Sequence, residues 1–230
     1  MENDRVECHV STGAGLYSGV SRSLMRELIL AGGLGPGSRV LIAGCGDGEL
    51  AERLIPFGIQ VTGVDEASDR VERAAAVIPQ AEFQSGAVPR SQFDDTAGLY
   101  DSVLVLAQSA LRGSVKSLAA LRTTASLMSC VRPGGVFQFV STGPGGGIPH
   151  EASCLVGQLG RFPGEVTVVS LVDRSSSCPF PQSIVKLRLD SRRRSAVEWG
   201  ALADSLAGDI HNPCCRFCPV GVSREDAPVA

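Results

Sequence analysis

The sequence has 230 residues, a formal net charge of −3 and 43% hydrophobic residues. This length and composition can bury the core of one large α/β domain, so a single domain is the default expectation. The net negative charge leaves no global attraction for a polyanion, which argues against nucleic acid as a partner. The longest apolar runs are far shorter than the roughly 20 residues needed to cross a bilayer, so no membrane span is predicted.

The cysteines and the N-terminal residues together indicate the cellular compartment in which the protein is expected. Eight cysteines could form a disulfide framework, but Cys45 and Cys130 lie in apolar or glycine-rich segments. The N-terminus is acidic, and no apolar stretch typical of a secretory signal follows it. We therefore expect a reducing, cytoplasmic compartment.

Hydrophobic periodicity predicts helices and strands in alternation. In chain order, the expected elements are a helix at 24–29, a strand at 39–43, a helix at 50–55, a strand at 60–65, a helix at 71–78, strands at 81–88 and 101–107, a helix at 114–128, a strand at 136–140, a helix at 152–159, strands at 166–172 and 184–189, and a helix around Trp199. Successive strand–helix units imply a parallel sheet. Only a short Ser- and Pro-rich loop separates the last two strands, so this pair is predicted to be antiparallel.

The candidate binding site lies where the first strand ends. Gly44, Gly46 and Gly48 stand between this strand and the next helix, and their missing side chains let a ligand approach the backbone. Asp65 ends the second strand, so its carboxylate is expected beside the loop, where it could accept hydrogen bonds from two ribose hydroxyls. A nucleotide-like cofactor is the ligand that this pattern predicts. The alternative is purely structural: a tight turn, a helix-packing glycine and a capping Asp.

The position of the third glycine distinguishes a dinucleotide cofactor from other nucleotide-like cofactors. The dinucleotide fingerprint requires a glycine three residues after Gly46, where this chain has Glu49, so NAD is disfavoured. The stretch VLIAGCGDGELA at 40–51, with VTGVD at 61–65, instead closely resembles motifs I and II of the class I S-adenosylmethionine-dependent methyltransferases. The segments 100–103 and 127–140 are similar to that family's fourth strand and to its helix and fifth strand.

The resemblance covers nearly the whole chain and implies a three-layer, doubly wound α/β fold. Its seven-stranded sheet is mostly parallel, with the last strand antiparallel. We accordingly divide the chain into an N-terminal helical segment at 1–36, a methyltransferase-like domain at 37–208 and a Cys-rich tail at 209–230, which we expect to be flexible.

The resemblance also implies S-adenosylmethionine as the cofactor. The loop glycines would approach its methionine part, Asp65 would bind the ribose, and Glu66 would border the adenine. The expected cofactor-binding residues are Gly44, Cys45, Gly46, Asp47, Gly48, Asp65, Glu66, Ala87, Val88 and Gln108.

Two acidic residues that many members of the family carry are absent. Ile42 stands where an acid helps to hold the cofactor's amino group, and Ala87 follows Gly86 where an Asp accepts a hydrogen bond from the adenine amino group. Each lost charge-assisted hydrogen bond is worth about 1.5 to 3 kcal/mol. Backbone groups at Ala87 and Val88 could still bind adenine. The alternative function is therefore a methyltransferase-like scaffold or binding module that has lost the cofactor.

Methyl transfer needs mainly proximity of the acceptor to the methyl group, and a base only where the acceptor must lose a proton. His150 follows the fifth predicted strand and is the candidate base, with a helix-capping or solvated histidine as the alternative. The sequence does not identify the methyl acceptor. We expect a small molecule, because no basic surface or RNA-reading module is visible.

The C-terminal region holds two further clusters. His211, Cys214, Cys215 and Cys218 are four soft ligands in one short segment, suited to zinc or an iron–sulfur cluster. Structural metal sites usually use two separated ligand pairs, so we expect no stoichiometric metal here. The run 192–194 is all Arg, and it predicts a solvated basic face before the helix around Trp199.

Overall fold

The computed structural model of the protein describes residues 22–87, 98–106, 117–141, 152–171 and 182–207. In these ranges the α-helices are α1 (Arg22–Gly32), α2 (Glu49–Leu54), α3 (Ser68–Val77), α4 (Leu118–Ser129), α5 (Ala152–Leu159) and α6 (Ala196–Leu206), and a 3-10 helix at Ile55–Phe57 follows α2. The strands are β1 (Arg39–Ala43), β2 (Gln60–Asp65), β3 (Glu82–Ser85), β4 (Tyr100–Val105), β5 (Val131–Ser141), β6 (Gly164–Leu171) and β7 (Gln182–Leu189). None of these helices is long and apolar enough to cross a membrane.

The seven strands form one sheet in the order β3-β2-β1-β4-β5-β7-β6. Strand β1 pairs in parallel with both β2 and β4, whereas β7 runs antiparallel to both β5 and β6. The predicted mostly parallel, seven-stranded sheet with an antiparallel last strand is confirmed. The strand order reverses at β1, because β2 and β4 lie on opposite sides of it. In open α/β sheets such a switch point forms a crevice at the carboxyl ends of the strands, where ligands bind.

Helices cover both faces of the sheet and produce the expected three layers. One face packs under α4, α5 and α6, where Phe137, Phe139 and Trp199 are buried. The other face packs under α1 and α2. Neighbouring residues of β1 serve the two faces in turn: Leu41 belongs to the first core and Ile42 to the second. Successive side chains of a strand point to opposite faces, so a strand buried on both sides is apolar throughout.

Two predicted boundaries were wrong by several residues. The strand predicted at 81–88 is shorter, because β3 covers only Glu82–Ser85. The helix predicted from 114 begins at Leu118, since Ser117 has extended backbone angles and caps the helix. Its side-chain oxygen accepts a hydrogen bond from the backbone N–H of Ala120, at 3.1 Å. A serine at this position satisfies one of the N–H groups that a helix leaves without an internal partner.

The start of β5 also differs from the prediction of 136–140. Val131 already pairs with Tyr100, and the register then shifts before Val136 pairs with Ser102. The residues between them include Pro133 and Gly134, residue types that commonly form turns. These residues form an irregularity within the strand, because the chain pairs on both sides of it.

Candidate functional site

The loop that follows β1 is built from glycines in a conformation that other residues rarely adopt. The φ angles of Gly44, Gly46 and Gly48 are 79°, 56° and 84°. Such positive values cost L-residues with a side chain about 1 to 2 kcal/mol. The backbone N–H of Gly44 donates a hydrogen bond to the carbonyl of Val64 in β2, at 2.7 Å. The loop is therefore attached to the end of the neighbouring strand.

Asp65 lies beside this loop, as the spacing predicted. Its Oδ2 accepts a hydrogen bond of 2.8 Å from the backbone N–H of Gly46. Its Oδ1 accepts one of 3.0 Å from the backbone N–H of Ala67. Parallel pairing explains this position, because Ala43 and Val64 are register partners and the two strands end at the same edge of the sheet. The carboxylate thus joins the glycine loop to the start of α3.

Gly48 has a packing role. A Cβ at this position would lie 2.6 Å from Cδ1 of Ile78 and 3.1 Å from Cζ of Phe83. The missing side chain therefore lets the start of α2 approach α3 and β3 closely. This is the helix-packing role that the structural alternative anticipated for one of the glycines.

Arg70 is a residue of the site that the sequence analysis missed. A Cβ at Gly46 would collide with the guanidinium of Arg70, so this side chain covers the loop. Its Nε donates a hydrogen bond of 3.1 Å to Oδ2 of Asp47. Arg73 donates to the other oxygen of Asp47, at 3.0 Å. The direction of helical side chains was the available signal, because those in a first turn point back toward the N-terminus of their helix.

Burial makes Cys45 chemically inert. Its side chain lies against Gly63 of β2, where a Cβ would come within 2.9 Å of Sγ. Removal from water raises the pKa of the thiol to about 12, and the negative charge of Asp65 contributes in the same direction. A thiol with this pKa is almost entirely protonated near neutral pH, so Cys45 is no nucleophile there.

Comparison with known proteins identifies the fold. No family model matches the chain, and no curated protein sequence matches it. The [4+2]-cyclase SpnF aligns with a TM-score of 0.56 and 17% identity, over 74% of this chain and 82% of that one. The N-methyltransferase NodS from Bradyrhizobium japonicum aligns with a TM-score of 0.54 and 19% identity, over 73% and 93%. A SAM-dependent methyltransferase from Methanosarcina mazei aligns with a TM-score of 0.53 and 18% identity, over 70% and 97%.

The chain has the class I methyltransferase fold. Within this fold, the two positions that lack an acid have different surroundings. Ile42 is 0% exposed and belongs to the apolar core beneath α1 and α2. Ala87 is exposed, two residues after the end of β3. An acid at position 42 would need to be buried among apolar side chains here, whereas one at position 87 would face solvent.

The structure describes only some of the remaining predicted site residues. Glu66 is exposed next to Asp65, and the structure places Asp47 within the loop, paired with two arginines. Other predicted residues lie outside the described ranges: Val88, Gln108, His150, His211, Cys214, Cys215 and Cys218.

The arginines at 192–194 follow the end of β7. Arg192 and Arg193 are exposed, as predicted. The prediction was wrong for Arg194, whose side chain is only 12% exposed. Its guanidinium donates hydrogen bonds of 2.6 and 2.8 Å to the two carboxylate oxygens of Asp190 and lies 5.4 Å from the ring centre of Trp199. Arg194 therefore supports α6 by ion pairing and by contact with the indole.

Proposed function

We propose that the chain is an S-adenosylmethionine-dependent methyltransferase with a small-molecule acceptor. The observation that carries the proposal is the pairing of Asp65 with the backbone of Gly46 at the switch point of the sheet. This pairing places a carboxylate at the strand ends, beside a loop whose glycines have no side chain. The combination suits a ligand that has both ribose hydroxyls and a polar chain.

The loop and Asp65 fit such a ligand. Gly44 and Gly46 have no side chain, so a ligand could contact their backbone once the Arg70 side chain over Gly46 has moved. Each oxygen of Asp65 accepts one backbone hydrogen bond, and a carboxylate oxygen can accept two. Asp65 therefore keeps acceptor capacity for the hydroxyls of a ribose. S-adenosylmethionine, when bound, supplies the methyl group that is transferred.

The class of the methyl acceptor and the identity of the base are inferred from the sequence alone. We propose His150 as the base for an acceptor that must lose a proton, because a histidine changes charge near neutral pH. An O-, N- or C-nucleophile of a small molecule would be methylated. An acceptor screen with a radioactive methyl donor tests this part: label found only in protein or RNA would contradict it.

A second candidate function is a scaffold of the same fold without cofactor. The observation in its favour is that Ile42 stands at the position of the family's acid and is completely buried. No carboxylate is therefore available there for the cofactor's amino group. A solved structure of similar fold is that of a [4+2]-cyclase, and one fold commonly hosts unrelated functions.

Calorimetry separates these two functions. We expect the purified chain to bind S-adenosylmethionine and S-adenosylhomocysteine, with heat of binding and a raised melting temperature. Absence of both signals at millimolar ligand would favour the scaffold. The matched control is adenosine alone, which lacks the amino-acid part and is expected to bind more weakly.

The proposal includes a cytoplasmic location, and Cys154 provides the test. Cys154 is disulfide-bonded in the structure, whereas cytosolic thiols are usually kept reduced. Cells are lysed in denaturant with an alkylating agent, and the modified cysteines are mapped by mass spectrometry. A cytoplasmic location requires direct alkylation of Cys154, whereas the disulfide in the structure predicts alkylation only after reduction. Alkylation of Cys154 only after chemical reduction would place the protein in an oxidising compartment.

A further inference from the structure

Arg70 covers the part of the loop that has no side chain. Gly46 has a φ of 56° and would direct a Cβ into the guanidinium of Arg70. The side chain of Arg70 is only 19% exposed, so most of its surface is covered by the protein. The space over Gly46, which a ligand needs in order to contact this backbone, is therefore occupied by a side chain of α3.

One carboxylate holds Arg70 in this position. Nε and Nη2 of Arg70 both lie 3.1 Å from Oδ2 of Asp47. Oδ1 of the same carboxylate is held by Arg73, whose Nη2 lies 2.9 Å away. Arg73 also donates to Asp69 at 3.0 Å. Asp47 is 41% exposed, and ion pairs in such a setting are weak and screened by salt.

The arrangement allows the Arg70 guanidinium to move away from Gly46 at a low cost in free energy. If this guanidinium rotates into solvent, Asp47 keeps Arg73 as its counter-ion, so the carboxylate is not left unpaired. Arg70 itself becomes hydrated, and α3 does not need to move. The interaction that is lost is one partly exposed ion pair together with the contact on Gly46.

We propose that Arg70 closes the glycine loop in the free protein and that the cofactor displaces its guanidinium from Gly46 on binding. This inference rests on the proposed function. Steric exclusion supports it, because the guanidinium and a ligand cannot both contact the bare backbone of Gly46.

The test compares two variants of neighbouring arginines on the same helix. Arg70→Ala removes the side chain that covers the loop, whereas Arg73→Ala removes the other partner of Asp47. By titration calorimetry, Arg70→Ala is expected to bind S-adenosylmethionine and S-adenosylhomocysteine about two- to fivefold more tightly than the wild type. Arg73→Ala is expected to bind no more tightly than the wild type, because Asp47 then pairs with Arg70 alone.

A second measurement examines the closed loop without any ligand. In nitrogen-15 NMR spectra of the free protein, the Nε–H signal of Arg70 is identified by its absence in Arg70→Ala. We expect it to be protected from exchange with water at low salt and to lose protection at high salt. An unprotected signal, or unchanged or weaker binding by Arg70→Ala, would overturn the inference and leave the proposed function standing. If neither protein binds either ligand, the proposed function fails and the displacement fails with it.

Discussion

The backbone N–H of Gly46 donates a hydrogen bond of 2.8 Å to Oδ2 of Asp65, and this bond connects the ends of two neighbouring parallel strands. The second oxygen of the same carboxylate accepts from the backbone N–H of Ala67 at 3.0 Å. One side chain therefore satisfies N–H groups in two different loops at the switch point of the sheet. The residue proposed to bind the ribose is thus also a structural support of the site, which its position at the end of β2 alone did not reveal.

Asp65→Ala is expected to lower both stability and ligand affinity. Two N–H groups lose a charged acceptor, and hydrogen bonds to charged groups contribute about 1.5 to 3 kcal/mol each. We expect the free energy of unfolding in urea to fall by about 2 kcal/mol or more. In calorimetry, S-adenosylmethionine should bind about tenfold more weakly or worse.

The matched control for this change is Asp69→Ala. Asp69 is 71% exposed and pairs only with Arg73 among the described side chains, so its removal should change the free energy of unfolding by no more than about 0.5 kcal/mol. Equal effects of the two substitutions would show that the carboxylate of Asp65 does not support the loop.

The packing role of Gly48 can be separated from its backbone conformation. Gly33 and Gly48 both have positive φ, at 62° and 84°, but a Cβ at Gly33 would have no neighbour within 4 Å. Gly33→Ala should therefore cost only the conformational strain of about 1 to 2 kcal/mol. Gly48→Ala should cost about 1 to 3 kcal/mol more, because its Cβ would press on Ile78. Urea unfolding of both variants checks this, and equal losses would mean that packing at Gly48 is unimportant.

The positions of the strands and of the loop were predictable because they depend on local patterns. Short apolar runs between glycines, such as 39–43 and 60–65, indicate buried parallel strands. The alternation of these runs with helices then places Asp65 beside Gly46 through topology alone. No long-range contact had to be known to predict this part of the site.

The covering of the loop by Arg70 could not be predicted in the same way. Periodicity assigns Arg70 to the polar face of a helix, where a solvated side chain is the default. Its direction toward Gly46 depends on Asp47, which lies in a different loop. The early start of β5 has a similar origin, because Pro133 and Gly134 indicate a turn, and only the pairing of Val131 with Tyr100 extends the strand. In both cases a contact between distant residues overrides a local preference.

The buried thiol of Cys45 should make the protein less stable in alkali. Burial raises its pKa from the ordinary value of 9.0 to about 12. Between these values the folded chain keeps a proton that the unfolded chain loses, so the stabilising contribution is complete below about pH 9 and decreases as the pH rises toward 12. The measurement is the free energy of unfolding as a function of pH, for the wild type and Cys45→Ala.

Cys45→Ala serves as its own control in this experiment. Burial also raises the pKa of Tyr100, but this group is present in both proteins and its effect cancels in their difference. The stability advantage of the wild type over the variant should shrink above pH 9. A difference that stays constant from neutral pH into the alkaline range would contradict the burial of the thiol in the folded state.

The polar pair Gln138 and Ser102 is buried at the centre of the sheet. Both residues are 0% exposed, and Nε2 of Gln138 donates to Oγ of Ser102 at 3.0 Å. Gly32 at the end of α1 covers the amide, since a Cβ there would lie 2.9 Å from Nε2. Oε1 of Gln138 has no hydrogen-bond partner in the described part of the chain. A buried polar atom of this kind costs free energy without compensation.

The last prediction uses this pair to measure that cost. Ser102→Ala alone leaves the Gln138 amide without its acceptor, so we expect a loss of about 1 to 3 kcal/mol. The double variant Ser102→Ala, Gln138→Met replaces both polar groups by apolar ones of similar size, and it also removes the unpaired Oε1. We expect it to be more stable than Ser102→Ala alone, with a coupling energy of at least about 0.5 kcal/mol in a cycle of four urea curves. Additive effects would show that the two side chains do not interact, because each substitution would then cost the same whether or not the other is present.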